Sequence, residues 1–164
     1  MKALVYKKYG SADNLHIVEI EKPTPKPDEV LIKVCAASLN MWDCDLLSGR
    51  PYIYRLMFGL VKPNHKIIGS DVSGIVEKLG ENVKDFQMGD EVFGDISSSG
   101  FGAFAEYTCA SANLLAKKPS SISFEEAAAI PQGGVLALQA LDEANVKSGD
   151  KVLINGAGGS DIET

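Results

Sequence analysis

Apolar and polar residues alternate along much of the first 117 positions, a pattern that predicts short strands with one buried face. The clearest case lies within residues 67–94, where alternation over 73–79 is followed by turns at Gly80 and Gly89. Similar patterns predict further strands over residues 2–6, 15–21, 30–36 and 113–117. This arrangement of short strands and glycine-rich turns favours an antiparallel barrel.

Helices are predicted between and after these strands. Asn40 can cap a short helix that ends at Gly49, and residues 50–66 follow as an irregular, apolar and aromatic stretch. Ser123 and Glu126 form a capping box that predicts a second helix, which restarts at Pro131. Apolar residues then recur at helical spacing up to position 144.

The C-terminal residues carry a different signal. Residues 151–154 read as a buried strand, and a glycine-rich turn follows it. A strand followed by such a turn is how a dinucleotide-binding unit begins, because the glycines let the backbone approach a pyrophosphate.

Composition narrows the choice of partners and compartment. The chain carries 22 acidic and 16 basic side chains, and its net charge of -6 opposes non-specific binding to nucleic acid or to anionic membranes. We therefore expect neither nucleic acid nor a membrane as a partner. No apolar run has the length of a bilayer span, so a cytoplasmic location is expected. The three cysteines are widely spaced, which argues against a disulfide framework or a thiolate metal site.

Two motifs carry a family resemblance. The stretch GSDVSGIVEKLGENVKDFQMGDEVFG and the later G-x-F-A-E-Y pattern resemble the medium-chain dehydrogenase/reductase superfamily. The resemblance implies a mainly β fold with peripheral helices: a partly open GroES-like β-barrel, followed by the start of a Rossmann domain. The implied boundaries are residues 1–122 for the catalytic domain, and 123–164 for the connecting helices and the incomplete cofactor domain.

The resemblance also indicates a branch of the superfamily. Zinc-dependent members carry Cys at the position of Asn40 and a His-Glu pair at Ser70 and Asp71. An amide and a hydroxyl supply neither a thiolate nor an imidazole, so no catalytic zinc is expected. No cysteine cluster for a structural zinc follows Gly89. The sequence therefore looks like a zinc-independent quinone or enone reductase.

The implied reaction is hydride transfer from NADPH, with NADH left open, to a quinone or an α,β-unsaturated carbonyl compound. By resemblance, the catalytic residues are Asn40, Asp43 and Tyr52, and the full-length enzyme is expected to be a homodimer. The residues implied for cofactor binding are Asn40, Gln132, Leu136, Asn155, Gly156, Ala157, Gly158 and Gly159.

The dinucleotide fingerprint does not continue after Gly159, so the chain is expected to be an inactive N-terminal fragment of such an enzyme. Apolar surface is expected to be exposed where a further domain would dock, around Ile130, Val135, Leu138 and Leu141. Two alternatives stay open: a stand-alone GroES-like binding or assembly module, and, less favoured, a zinc alcohol dehydrogenase with unusual ligands.

Overall fold

The computed structural model describes residues 1–155. Within that range the chain forms seven strands and four helices. The strands are β1 (Lys2–Val5), β2 (His16–Glu19), β3 (Glu29–Ala37), β4 (Asp71–Leu79), β5 (Glu91–Asp95), β6 (Tyr107–Ser111) and β7 (Ala116–Lys117). The helices are α1 (Met41–Ser48), α2 (Ile53–Phe58), α3 (Phe124–Ala128) and α4 (Pro131–Glu143).

The strands form two antiparallel sheets. β1 pairs with β2, and the other five strands form a sheet in the order β6-β3-β4-β5-β7. Isolated bridges from Ala3 to Ala105 and from Val5 to Ile67 join the small sheet to the rest. The larger sheet is open, because its edge strands β6 and β7 do not pair with each other among the described residues. The prediction of a mainly β, partly open fold is confirmed.

The predicted alternation produces the main core. Val30 and Ile32 of β3, Val72 and Val76 of β4, and Val92 of β5 are all fully buried in one cluster. Burying a side chain of this size contributes roughly 1.5–3 kcal/mol each, so the central strands dominate the stability of the sheet. Helix α3 packs on these strands.

A second apolar cluster holds the first two helices against the sheets. Its fully buried members are Tyr6, Leu46, Ile68 and Phe101, and Trp42 packs at its edge. Helix α1 begins after Asn40 and ends at Gly49, whose φ of 63° is the left-handed conformation expected of a glycine C-cap. Both predicted ends of this helix are confirmed.

One segment is more regular than predicted. Residues 50–66, expected to be irregular, contain helix α2. Its Tyr54 and Phe58 are four residues apart and therefore share a helix face. The Tyr54 ring stacks on Trp42 with 6.1 Å between ring centroids, and Phe58 lies 5.8 Å from Phe101 edge to face. These long-range aromatic contacts stabilise a helix that local sequence signals did not predict.

Two predicted strands are wrong in whole or in part. The 113–117 segment begins as a 3-10 turn over Ala112–Leu114, and only β7 pairs with β5. Residues 151–154 form no strand and are exposed. A buried parallel strand needs neighbours on both sides, and no other strand lies beside these residues in the part of the chain that the structure describes.

Two glycine substitutions test this packing in opposite directions. In Gly74→Ala, the added Cβ would lie 2.2 Å from the Lys33 carbonyl oxygen on β3, so strand pairing must shift. We expect the free energy of unfolding to fall by about 2 kcal/mol. In Gly133→Ala, nothing lies within 4 Å of the added Cβ on α4, so the helix should gain up to about 1 kcal/mol. Urea unfolding of both variants checks this; equal effects at the two positions would contradict it.

Candidate functional site

The antiparallel strands β3 and β4 determine where the candidate site lies. Strand β3 ends at Ala37, which is paired with Val72 near the start of β4. The residues that follow β3 therefore lie beside those that precede β4. As a result, the Asn40 side-chain amide donates to the Ser70 hydroxyl at 3.1 Å and to the Ser38 hydroxyl at 3.4 Å. In both contacts the donor is the side-chain nitrogen of Asn40.

Asp43 lies behind Asn40 and is completely buried. One of its carboxylate oxygens accepts from the Asn40 backbone N–H and the other from the Gly69 N–H, each at 2.9 Å. Burial raises the pKa of Asp43, and these two N–H donors oppose the rise. Because both oxygens are engaged within the protein, we propose that Asp43, predicted to be catalytic, instead positions Asn40.

Asp71 was missed as a site residue at the sequence level. Its side chain is 1% exposed, and one oxygen accepts from the backbone N–H of Gln132 at 3.0 Å. Gln132 is the second residue of α4, so a carboxylate from β4 occupies the positive end of that helix. The other oxygen, Oδ1, has no hydrogen-bond partner among residues 1–155. The sequence signal is an acidic residue at the start of β4, next to Ser70 in the motif shared with the superfamily.

The surroundings of Asp71 determine its ionisation. Burial raises its pKa to about 6, and the carboxylates of Asp95 and Asp43 add to the rise. The backbone N–H of Gln132 and the side-chain amide of Asn40 act in the opposite direction. Asp71 is therefore a buried acid that changes charge within an experimentally accessible range of pH.

A cleft of about 1060 Å³ opens between the first half of α4, strand β5 and the first two helices. Gln132 and Leu136, both predicted to bind a cofactor, line this cleft together. Trp42, Tyr54 and Asp95, which the sequence did not single out, line its other side. A largely apolar cleft with a few polar groups is typical of a small-molecule site.

Tyr52 lies apart from this group. It precedes α2, is 65% exposed and is not among the residues that line the cleft. The guanidinium of Arg55 lies over its ring, 5.1 Å from the centroid. The structure thus brings together Gln132 and Leu136, links them to Asn40 through Asp71, and leaves Tyr52 on the surface.

The remaining predicted cofactor residues are at the end of the described chain. Asn155 is exposed, and Gly156, Ala157, Gly158 and Gly159 lie outside the described residues. Across residues 1–155, no group of three or more His, Cys, Asp or Glu side chains is arranged to hold a metal ion. None of the helices in the same range has both the length and the apolar character needed to cross a membrane.

Comparison with known proteins gives a family match. The profile described as "Alcohol dehydrogenase GroES-like domain" matches residues 26–120, more than half of the chain. The matched region includes β3 to β7, the Asn40 turn and Asp71.

Individual relatives agree with this match. The chain is 39% identical to a 2-methylene-furan-3-one reductase of Solanum lycopersicum and 40% identical to a chloroplastic NADPH-dependent alkenal/one oxidoreductase of Arabidopsis thaliana, with 97% of this chain and 42% of each relative aligned. Among solved structures, a quinone oxidoreductase from Coxiella burnetii superposes with a TM-score of 0.82 at 36% identity, covering 92% of this chain and 47% of that one. The chain thus spans less than half the length of these proteins.

The buried Asp71 predicts a specific pH dependence of stability. Its folded pKa of about 6 exceeds the ordinary value of 3.8, so the folded state takes up a proton before the unfolded state does as the pH falls. The contribution of Asp71 to the free energy of unfolding is therefore largest at low pH and is lost as the pH rises to 6. Relative to Asp71→Asn, the wild type should lose on the order of 1 kcal/mol between about pH 5 and pH 7.5.

Urea unfolding of both proteins at several pH values measures this difference. The matched control is Asp142→Asn, which removes an exposed carboxylate from α4 with the same change of net charge. If the Asp71→Asn and wild-type curves run parallel across this pH range, Asp71 does not titrate as described.

Proposed function

Since this chain belongs to the alcohol dehydrogenase family with a GroES-like domain, in the medium-chain dehydrogenase/reductase superfamily, we propose that it forms the substrate side of a zinc-independent, NADPH-dependent reductase of quinones or α,β-unsaturated carbonyl compounds. The observation that carries this proposal is the Asn40–Ser70 pair, linked through the neighbouring Asp71 to a cleft lined by Gln132 and Leu136. The printed names of relatives, among them an NADPH-dependent alkenal/one oxidoreductase and a human quinone oxidoreductase, support the substrate class and the cofactor.

Zinc independence rests on the chemistry of the donors. A catalytic zinc site uses about three protein ligands drawn from thiolates, imidazoles and carboxylates. Asn40 and Ser70 offer a neutral amide and a hydroxyl, and they are hydrogen-bonded to each other at 3.1 Å. The nearby carboxylate of Asp43 is already held by two backbone N–H groups.

The cleft fits the reactive end of a nicotinamide cofactor. Gly134, in the first turn of α4, lines the cleft and has no side chain, so a planar ring could approach the backbone there. Gln132 and Leu136 would contact the ring, and the side-chain oxygen of Asn40 could accept from the carboxamide of the nicotinamide. When bound, the reduced nicotinamide supplies hydride to the conjugated carbonyl system of the substrate.

The chain's own residues would orient the substrate and exclude water. Trp42, Tyr54 and Leu136 give the cleft apolar walls, which suits a flat conjugated substrate. On the family resemblance, we propose Tyr52 as the hydrogen-bond donor to the substrate's carbonyl oxygen, because a phenol can donate such a bond. Its ring is exposed and does not line the cleft in this structure. Hydroxyl contacts from Ser38 and Ser70 fix the Asn40 amide, so orientation is its proposed contribution.

The proposed division into residues 1–122 and 123–164 falls at the Ser123 capping box that begins α3. Ala127 and Ala128 of α3 are buried against the sheet, whereas exposed apolar side chains begin at Ile130. The aligned relatives are more than twice as long as the aligned region, so the complete reaction is proposed for the protein with those further segments. The cytoplasmic location and the homodimer stay predictions, and several relatives are named as chloroplastic proteins.

The test is turnover of NADPH with a 2-alkenal and with a benzoquinone. The chain is assayed alone and joined to the cofactor half of the 40% identical Arabidopsis relative. We expect the joined protein to oxidise NADPH with at least one substrate. Asn40→Ala should lower its kcat/KM by about 10- to 100-fold, because the loss of orientation by a polar contact costs that much.

The matched control is Asn82→Ala, on the exposed turn between β4 and β5, where Asn82 donates to Asp28 at 2.8 Å. This variant should keep its full kcat/KM. Turnover that requires added zinc and uses a saturated alcohol would favour the zinc alcohol dehydrogenase alternative. A joined protein that binds NADPH but reduces neither substrate would contradict the proposal.

A further inference from the structure

Two surfaces of the chain expose several large apolar side chains. The first, here called the α2 patch, surrounds helix α2, and its members are 60% to 85% exposed: Ile53, Leu56, Met57, Leu60 and Val61. The second, here called the α4 face, lies on helix α4 and consists of Val135, Leu136, Leu138 and Leu141. Contiguous apolar surface of this kind marks an interaction site more often than chance exposure does.

The α2 patch faces outward because the other face of helix α2 packs against the protein. Tyr54 and Phe58 point inward, against Trp42 and Phe101. At helical spacing, Ile53, Leu56 and Met57 then share the opposite face, which is exposed. The aromatic residues of α2 pack inside the protein. Its aliphatic residues face outward, where a partner could contact them.

Within the segment of sequence that carries the α2 patch, the charges are all of one sign. Between Asp45 and Asp71 the chain carries Arg50, Arg55, Lys62 and Lys66 and no acidic residue. These four positive charges leave -10 on the rest of a chain whose total is -6. The overall charge therefore conceals a basic segment at the exposed apolar surface.

Three of these cations are available to a partner. Arg50, Lys62 and Lys66 are exposed. Arg55 is engaged within the protein, because its Nε donates to the Gly49 carbonyl at 3.0 Å and its guanidinium lies 4.6 Å from the Tyr9 ring centroid. Lys7 and Lys8 are also exposed, and the adjoining Tyr9 hydroxyl donates to the Gly59 carbonyl at 2.6 Å. These two lysines therefore lie near the end of α2.

The α4 face differs in charge. From Phe124 to Val146 the chain has no basic residue, whereas Glu125, Glu126, Asp142 and Glu143 are acidic. Leu136 and Leu138 also line the cleft described above. The α4 face thus belongs to the proposed reductase site, and its charge does not suit an anionic surface.

We propose that the α2 patch is a peripheral docking surface for anionic phospholipid bilayers. Leu56, Met57 and their neighbours would enter the boundary between headgroups and acyl chains, while Arg50, Lys62 and Lys66 contact the lipid phosphates. This combination of an exposed apolar face and flanking cations is what interfacial binding requires. The proposal reverses the expectation of no membrane partner, which came from net charge alone, and it does not depend on the proposed reaction.

Docking in this orientation would also bring the cleft close to the bilayer. Tyr54 belongs to α2 and lines the cleft, so a bilayer against the α2 patch lies close to the cleft's rim. An apolar substrate dissolved in the bilayer would then have a short path to the site.

Vesicle flotation of the 164-residue chain tests this surface. We expect on the order of 100-fold stronger binding to phosphatidylcholine vesicles containing about 30% phosphatidylglycerol than to phosphatidylcholine alone, from three exposed cations near the surface. Raising the salt to about 0.5 M should remove most of this preference, because screening shortens the range of charge attraction.

Paired variants assign the binding to the α2 patch. Leu56→Gln with Met57→Gln should lower vesicle binding at least about tenfold through lost apolar burial, whereas Leu138→Gln on the α4 face should leave it unchanged. Lys62→Gln should weaken binding to anionic vesicles, and Lys84→Gln, an exposed lysine on the turn after β4, is its charge-matched control.

Three results would overturn the proposal. They are no vesicle binding, binding that Leu138→Gln weakens as much as the α2 variants do, and equal binding to both vesicle types. Light scattering that shows a dimer abolished by Leu56→Gln with Met57→Gln, without vesicle binding, would assign the α2 patch to a second copy of the chain instead.

Discussion

The hydrogen bond from the Gln132 backbone to the buried carboxylate of Asp71 joins the two parts of this structure. It connects the central strand β4 to the helix that lines the cleft. Burying a carboxylate costs several kcal/mol unless its oxygens are satisfied, and here one oxygen has no partner among the described residues. The chain accepts that cost at the one point where the Asn40 turn, the sheet and the start of α4 meet. The geometry of the cleft therefore depends on a group that weakens the fold at neutral pH.

Local signals in the sequence predicted most of the fold. Alternation identified the central strands, and the caps at Asn40, Gly49 and Ser123 fixed helix ends, because these features act over a few residues. The failures share a different cause. Helix α2 depends on aromatic contacts with α1 and with Phe101, and the 151–154 segment would need neighbouring strands, so neither outcome is set by residues adjacent in sequence. In both segments, tertiary contacts and not local propensity determine the secondary structure.

For the site, family resemblance supplied the residue names and the structure supplied their relations. Gln132 and Leu136 line one cleft, whereas Asn40 is bonded to Ser70, whose neighbour Asp71 accepts from the Gln132 N–H. The sequence motif contained Asp71 but did not indicate this contact. Net charge alone is a weak guide to partners for a related reason: a sum over the chain does not record where the charges lie. Four cations in one acid-free segment become visible only when the sum is resolved by position. Both the Asp71 contact and the basic segment depend on where residues lie, which composition does not record.

The contacts of Arg55 determine which positions of the α2 segment tolerate substitution. A single guanidinium reaches the carbonyl at the end of α1 and the rings of Tyr9 and Tyr52, while Tyr54 and Phe58 supply the inward packing of α2. The outward positions of the segment contribute almost nothing to the core. Substitutions at these outward positions should therefore affect folding little, whereas Tyr54, Arg55 and Phe58 are constrained by their contacts. A few substitutions there would give this protein a different surface chemistry over an unchanged sheet.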